Sequence, residues 1–383
     1  MLVKEQKKKF KSPLYLESGR ILDNYEIAFE TYGKLNKDKS NVILITHALT
    51  GNHHVAGKYA ETDRKSGWWD ELVGEDKTVD VNKYFVISTN VIGSCFGSTG
   101  PMSIIPPRSK INQQEHYRLT FPVVSIRDMV KAQYIFMKSL GINRVEAIVG
   151  GSMGAMQGLQ FAVDYPDFAK KVIAIAGTSA TSPYAIAYNK VTRSAILSDP
   201  EFKNGFYNPE EIKKNGLSGL AIGRMAGHIS FLSHDSMNKK FSRNYDSRDG
   251  VYSLLGRFEV EKYLDYNGHK FSKEFDPLSY LYITRAINMF DLSNGYSNLE
   301  EALLKVKSKL FVFSFSNDML FRPAESEVIY TTMKKIDKSH LIEYTEIQSD
   351  YGHDAFLVKD EIQKFKHLVK EALELEMSET TDV

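Results

Sequence analysis

The sequence predicts an α/β fold, a mostly parallel, doubly wound sheet with a helical lid inserted into it, and three observations carry the prediction. Short apolar runs rich in β-branched residues alternate with stretches of helical period as far as Ile175, and the rhythm resumes at Lys309. One of these runs, Val145 to Val149, breaks into Gly150-Gly151-Ser152-Met153-Gly154, where a strand turns sharply into a helix. From Thr178 to Leu299, helical segments and aromatic residues follow one another without a convincing strand. The expected organisation is a core in two parts, 1–177 and 300–383, separated by a lid over 178–299.

Taken in order, Lys7-Lys8-Lys9 reads as a solvated, frayed terminus. Tyr25 to Thr31 alternates as a strand does, and Asn41 to Thr46 reads as a buried central strand that runs into His47-Ala48-Leu49-Thr50-Gly51. His47, His53 and His54 invite a metal reading, but no carboxylate or further histidine stands at ligand spacing, so no metal is expected. Lys83 to Ser88 is the next strand. The glycines of Asn90 to Pro101 suggest backbone packed close to a site floor, and Cys95 within it is expected to be a small buried residue. Ile126 to Leu140 has helical apolar spacing, with Asp128 near its start and Gly141 as C-cap. A helix from about Ala155 to Tyr165 follows the Gly-rich turn, and Lys171 to Ile175 is a strand. Within the lid, Leu220 to Ser233 carries Arg224 and His228 four apart on one side. On pattern alone these are a surface arginine and a satisfied histidine. Lys309 to Phe315 and Lys338 to Ile347 read as the last strands, and Ile362 to Leu373 as an amphipathic helix covering one sheet face.

At 383 residues the chain exceeds what one hydrophobic core ordinarily organises. With 49 basic and 48 acidic residues the net charge is +1, so nothing global draws the chain to nucleic acid or a membrane, and small-molecule partners are expected. The sole cysteine, Cys95, excludes an internal disulfide and a thiolate metal cage. No run of about 18 apolar residues and no signal-like h-region occurs, so a soluble, cytoplasmic protein is expected.

Between strand and helix, Gly-x-Ser-x-Gly reads as a nucleophile elbow, whose glycines are needed where side chains would collide with the neighbouring strand or helix. Ser152 then meets the start of a helix, where unpaired N–H groups favour negative charge. Asp318 stands just past the strand ending at Phe315, and His353 follows Gly352 in the loop after the last strand. Serine, acid, histidine in that chain order is the pattern of the α/β-hydrolase fold. Ser152 is the expected nucleophile, His353 its general base and Asp318 the acid that holds the imidazole in one tautomer. In that fold the oxyanion rests on the N–H after the nucleophile and on one from the loop after the central strand, which selects Met153 and Leu49.

Five blocks, His47–Gly51, Gly93–Pro101, Gly150–Gln157, Ala221–Ser233 and Gly352–Leu357, resemble in this order the homoserine O-acyltransferase family of methionine biosynthesis, most of all its acetyltransferases. The resemblance implies Ser152, Asp318 and His353 as the triad, with Arg224 and Asp354 holding homoserine. A guanidinium suits the amino acid's carboxylate and Asp354 its ammonium. It further implies ping-pong chemistry with acetyl-CoA as co-substrate, no bound cofactor, L-homoserine as acceptor and a homodimer paired through the lid. The chain departs from the family at Phe231, where a tyrosine often stands near substrate. Succinyl-CoA users carry an arginine soon after the triad acid. Here Leu320 takes that place and favours acetyl, while Arg322 nearby keeps succinyl open. Serine as acceptor, and an esterase or thioesterase with the same triad, remain the alternatives.

Overall fold

The structure is a computed structural model and describes residues 1–107, 115–246 and 252–376. Eight strands form one sheet: β1 Gln6–Phe10, β2 Tyr25–Tyr32, β3 Val42–Thr46, β4 Phe85–Thr89, β5 Val145–Gly151, β6 Ala169–Ile175, β7 Lys309–Phe315 and β8 Ile342–Ile347. They lie in the order β1-β2-β4-β3-β5-β6-β7-β8. β2 pairs antiparallel with β1 and β4, and every other pairing is parallel. All five residues of β3 are buried, as a strand covered on both faces requires.

Two helices pack on one face beneath the central strands, α1 Ile126–Ser139 and α2 Met153–Asp164. α1 opens on a capping box in which Ser125 and Asp128 satisfy one another's backbone N–H groups. Between β6 and β7 the described chain runs through α3 Pro183–Ser198, α4 Pro209–Asn215, α5 Ser218–Phe231, α6 His234–Phe241, α7 Glu259–Glu274 and α8 Pro277–Asn288. α8 is buried along nearly its whole length and joins these helices to the core. α9 Leu299–Leu303 also precedes β7, α10 Pro323–Lys335 lies between β7 and β8, and α11 Lys359–Glu374 follows β8, burying Phe365 and Val369 against the other sheet face.

Two expectations change. Lys7-Lys8-Lys9 is not frayed: it lies in edge strand β1, with Lys8 opposite Ile27. Lysines suit an exposed edge because they discourage a further strand from pairing there. The last strand begins at Ile342, since Ser339–Leu341 makes a 3₁₀ turn first. Two short strand pairs, Leu14–Tyr15 with Ile21–Leu22 and Val73–Gly74 with Val79–Asp80, are too brief to show a period in sequence.

Candidate active site

β3, β5, β7 and β8 run parallel, so the loops leaving their carboxyl ends gather at one edge of the sheet, where such sheets place ligands. Ser152 follows β5 and caps α2 with φ 58° and ψ −121°, a conformation non-glycine residues rarely adopt. Its neighbours must be small. A Cβ on Gly150 would lie 2.2 Å from the Thr46 Oγ1, and one on Gly154 would lie 2.2 Å from the Thr46 carbonyl oxygen.

The three predicted side chains meet. His353 Nε2 lies 2.8 Å from Ser152 Oγ, and its Nδ1 lies 2.7 Å from Asp318 Oδ2. Asp318 is itself held: its Oδ1 accepts hydrogen bonds of 2.9 Å from the N–H groups of Leu320 and Phe321. The carboxylate therefore accepts a hydrogen bond from Nδ1–H, leaving Nε2 to accept from the serine hydroxyl. Burial lowers the pKa of His353, but the charge of Asp318 and its hydrogen bond outweigh burial and raise it above the ordinary histidine value. The arrangement can pass the Ser152 proton to His353 and hold the resulting imidazolium against Asp318. Among the described residues, the N–H groups of Leu49 and Met153 donate to no protein acceptor, so both are free for an anion near Ser152 Oγ.

An open cleft, with about 720 Å³ of empty space counting adjoining solvent, is lined by Ser152 and His353, with Arg224 and Phe231 from α5, Leu320, and Asp354 beside His353. The Arg224 guanidinium lies 4.8 Å over the Phe271 ring and 5.5 Å over the Phe231 ring. Among the described residues it makes no ion pair, and neither does Asp354. Burial raises the pKa of Asp354, an effect that the charges of Arg224 and His353 oppose. A guanidinium and a carboxyl group thus line one cavity without a direct ion pair between them. The surface placement read for Arg224 on pattern alone does not hold, and His228 is buried, with its pKa lowered to about 3 by burial and by Arg224 and Lys240.

A profile of the alpha/beta hydrolase fold family matches residues 41–360. "Homoserine O-acetyltransferase" of Sulfurimonas autotrophica is 59% identical over 365 residues, covering 95% of this chain and 96% of the relative. The chain belongs to the homoserine O-acyltransferase family of the α/β-hydrolase fold. Two solved members of the wider fold are similar: the homoserine O-acetyltransferase of Bacillus anthracis, at TM-score 0.90 and 29% identity with 99% of each chain covered, and esterase E22, at TM-score 0.86 and 27% identity with 97% of this chain and 100% of that one covered.

Phe231 packs its ring 6.1 Å from the His353 ring and so turns an apolar face toward the site. The His47 ring accepts from Val91 N–H at 3.1 Å, whereas His53 and His54 both approach the buried Glu30, His54 Nδ1 at 3.1 Å and His53 Nε2 at 3.8 Å. Sequence reasoning missed Glu30 because it arrives from β2, far from the histidines along the chain. Among the described residues no group of three histidine, cysteine or carboxylate side chains is placed to hold a metal. Cys95 is half-buried, and burial pushes its thiol up to about 12, far from a reactive thiolate. Asn189, Thr192 and Tyr280 also line the cavity and were not foreseen; polar residues in helices such as α3 and α8 carry no local signal of which face meets a site.

Proposed function

We propose that the chain transfers an acetyl group from acetyl-CoA to the hydroxyl of L-homoserine through an acyl-Ser152 intermediate, a step of methionine biosynthesis. The observation that carries the reading is the unpaired couple Arg224 and Asp354 in one cavity with Ser152 and His353. An amino acid zwitterion supplies the complement of both. Arg224 takes its carboxylate in a bidentate fork and Asp354 its ammonium, which leaves the side-chain hydroxyl directed at Ser152. The names of relatives at 59% and 56% identity support the same acceptor and acyl group.

In the first half-reaction His353 removes the Ser152 proton, Oγ attacks the thioester carbonyl and the oxyanion rests on the Leu49 and Met153 N–H groups. Collapse expels CoA sulfur, which takes the proton from His353. Homoserine then enters, gives its hydroxyl proton to His353 and attacks the acyl-serine. The new ester leaves and Ser152 regains its proton. Acetyl is favoured over succinyl because, among the described residues, Arg224 is the only arginine or lysine lining the cavity and Arg322 does not line it. A succinyl carboxylate would compete with homoserine for one guanidinium.

Likeness to esterase E22 keeps hydrolysis as the second reading, since the same triad cleaves acyl-enzyme wherever water competes. Following CoA release from acetyl-CoA with and without L-homoserine separates the two. Strong acceleration by homoserine with O-acetylhomoserine as product is expected; equal rates would mark a hydrolase. Repeating the assay with succinyl-CoA and with L-serine, which is one methylene shorter and worth about 1–3 kcal/mol of discrimination, fixes both substrates. The reading extends to a cytoplasmic homodimer. Tyr184 and Val191 on α3 and Ile222 and Ile229 on the adjoining α5 leave an exposed apolar face on the lid that a second copy would cover.

A further inference from the structure

We infer that Gln157, oriented by Gln133, is a positioning residue that sets the separation of the two oxyanion donors; the inference rests on the reading of Leu49 and Met153 as those donors. Every residue of α2 from Met153 to Val163 is buried, and Gln157 stands among them wholly shielded from solvent, as does Gln133 on α1. A buried amide costs free energy unless its hydrogen bonds are met. Gln157 meets them in an informative way. Its Nε2 donates to the His47 carbonyl at 3.1 Å and to the Met153 carbonyl at 3.2 Å, while its Oε1 accepts from Gln133 Nε2 at 2.8 Å.

One planar amide thus spends its two donors on the two segments that form the hole. His47 lies two residues before Leu49, and Met153 is the other donor itself. The orientation is determined by its partners: turned over, the Gln157 oxygen would face two carbonyl oxygens and its NH₂ would face the Gln133 donor. Gln133 fixes it from behind, and its own Oε1 has no partner, so the Gln133 amide serves this bond alone among the described residues. Around the clamp, Thr46 Oγ1 donates to the Gly154 carbonyl at 2.9 Å, tying β3 to α2 one residue to either side. Oxyanion donors must stand about 2.7–3.1 Å from the developing charge, so a slip of a few tenths of an ångström between β3 and α2 weakens one or both.

The test uses Gln157→Met, which keeps length and removes the amide, and Gln133→Met, which removes only the orienting bond. Three quantities are read: acylation by acetyl-CoA, affinity for a trifluoromethyl ketone to which Ser152 Oγ adds, placing an oxyanion in the hole, and KM for homoserine. In Gln157→Met, acylation and ketone affinity fall together by about 10–100-fold, below the roughly 10²–10³-fold that follows loss of a whole donor, and homoserine KM stays within about twofold. Gln133→Met shows the same pattern with a smaller loss and carries the test if Gln157→Met does not fold. Wild-type acylation in both variants, or acylation that falls while ketone affinity holds, overturns the clamp alone. If the unsubstituted chain binds the trifluoromethyl ketone no better than the corresponding methyl ketone, the donor reading fails and the clamp with it.

Discussion

His353 must be neutral to take the Ser152 proton, and Asp318 works against neutrality by stabilising the imidazolium. The folded pKa is raised, so the base is protonated and idle below that value and becomes competent as pH rises through it. Acylation measured against pH should therefore climb with an apparent pKa above the ordinary value of about 6.5. In Asp318→Asn the tautomer is no longer held and turnover should fall by about 10⁴-fold, read by CoA release. Arg224 acts on a different quantity. Arg224→Ala removes a charge-assisted partner worth about 3 kcal/mol, so homoserine KM should rise about 10²-fold while acylation by acetyl-CoA alone stays near the wild-type rate. Loss of acylation in that variant would show that Arg224 serves the acyl donor instead. Ser152, Asp318 and His353 could be named from sequence because each sits at a fixed place relative to a strand end. Arg224 could be named only through the family resemblance of its block, because a helix has no marker for which of its faces a cavity will meet.

The elbow between β5 and α2 depends on close approach of two backbones. In Gly154→Ala the added carbon would meet the Thr46 carbonyl at 2.2 Å, a contact with backbone that no side-chain rotation relieves. A loss of about 1–3 kcal/mol in a denaturant melt is expected, together with reduced acylation because α2 is pushed from β3. An unchanged melt would mean the seam is looser than its contacts indicate. β3, β5 and β7 were legible because buried central strands are apolar on both faces, and α1 because its apolar residues recur at helical spacing. β1 was not: three lysines in a row have no strand signature, and only β2 beside them supplies the pairing. The start of β8 was overrun for a related reason, since the 3₁₀ turn at Ser339–Leu341 carries no breaker such as glycine or proline.

For the whole molecule, the exposed apolar face of α3 and α5 leads to an expectation about assembly. Ile222 and Ile229 are about half exposed, at 51% and 48%, on the side of α5 away from Arg224. Replacing both with lysine should convert a dimer to a monomer in sedimentation while leaving the triad intact; an unsubstituted chain that already sediments as a monomer would refute the pairing. Sequence alone was enough for the alternation of strands and helices, the elbow and the chain order of serine, acid and histidine, because each belongs to a short window whose period or turn chemistry is local. The meeting of side chains 201 and 35 residues apart, the turning of Arg224 into the cavity opposite Asp354, and the glutamine bridge from α1 to the ends of β3 and α2 came only with the packed chain. Those contacts depend on which strands become neighbours and how closely helices settle on them, and no stretch of residues read by itself contains that information.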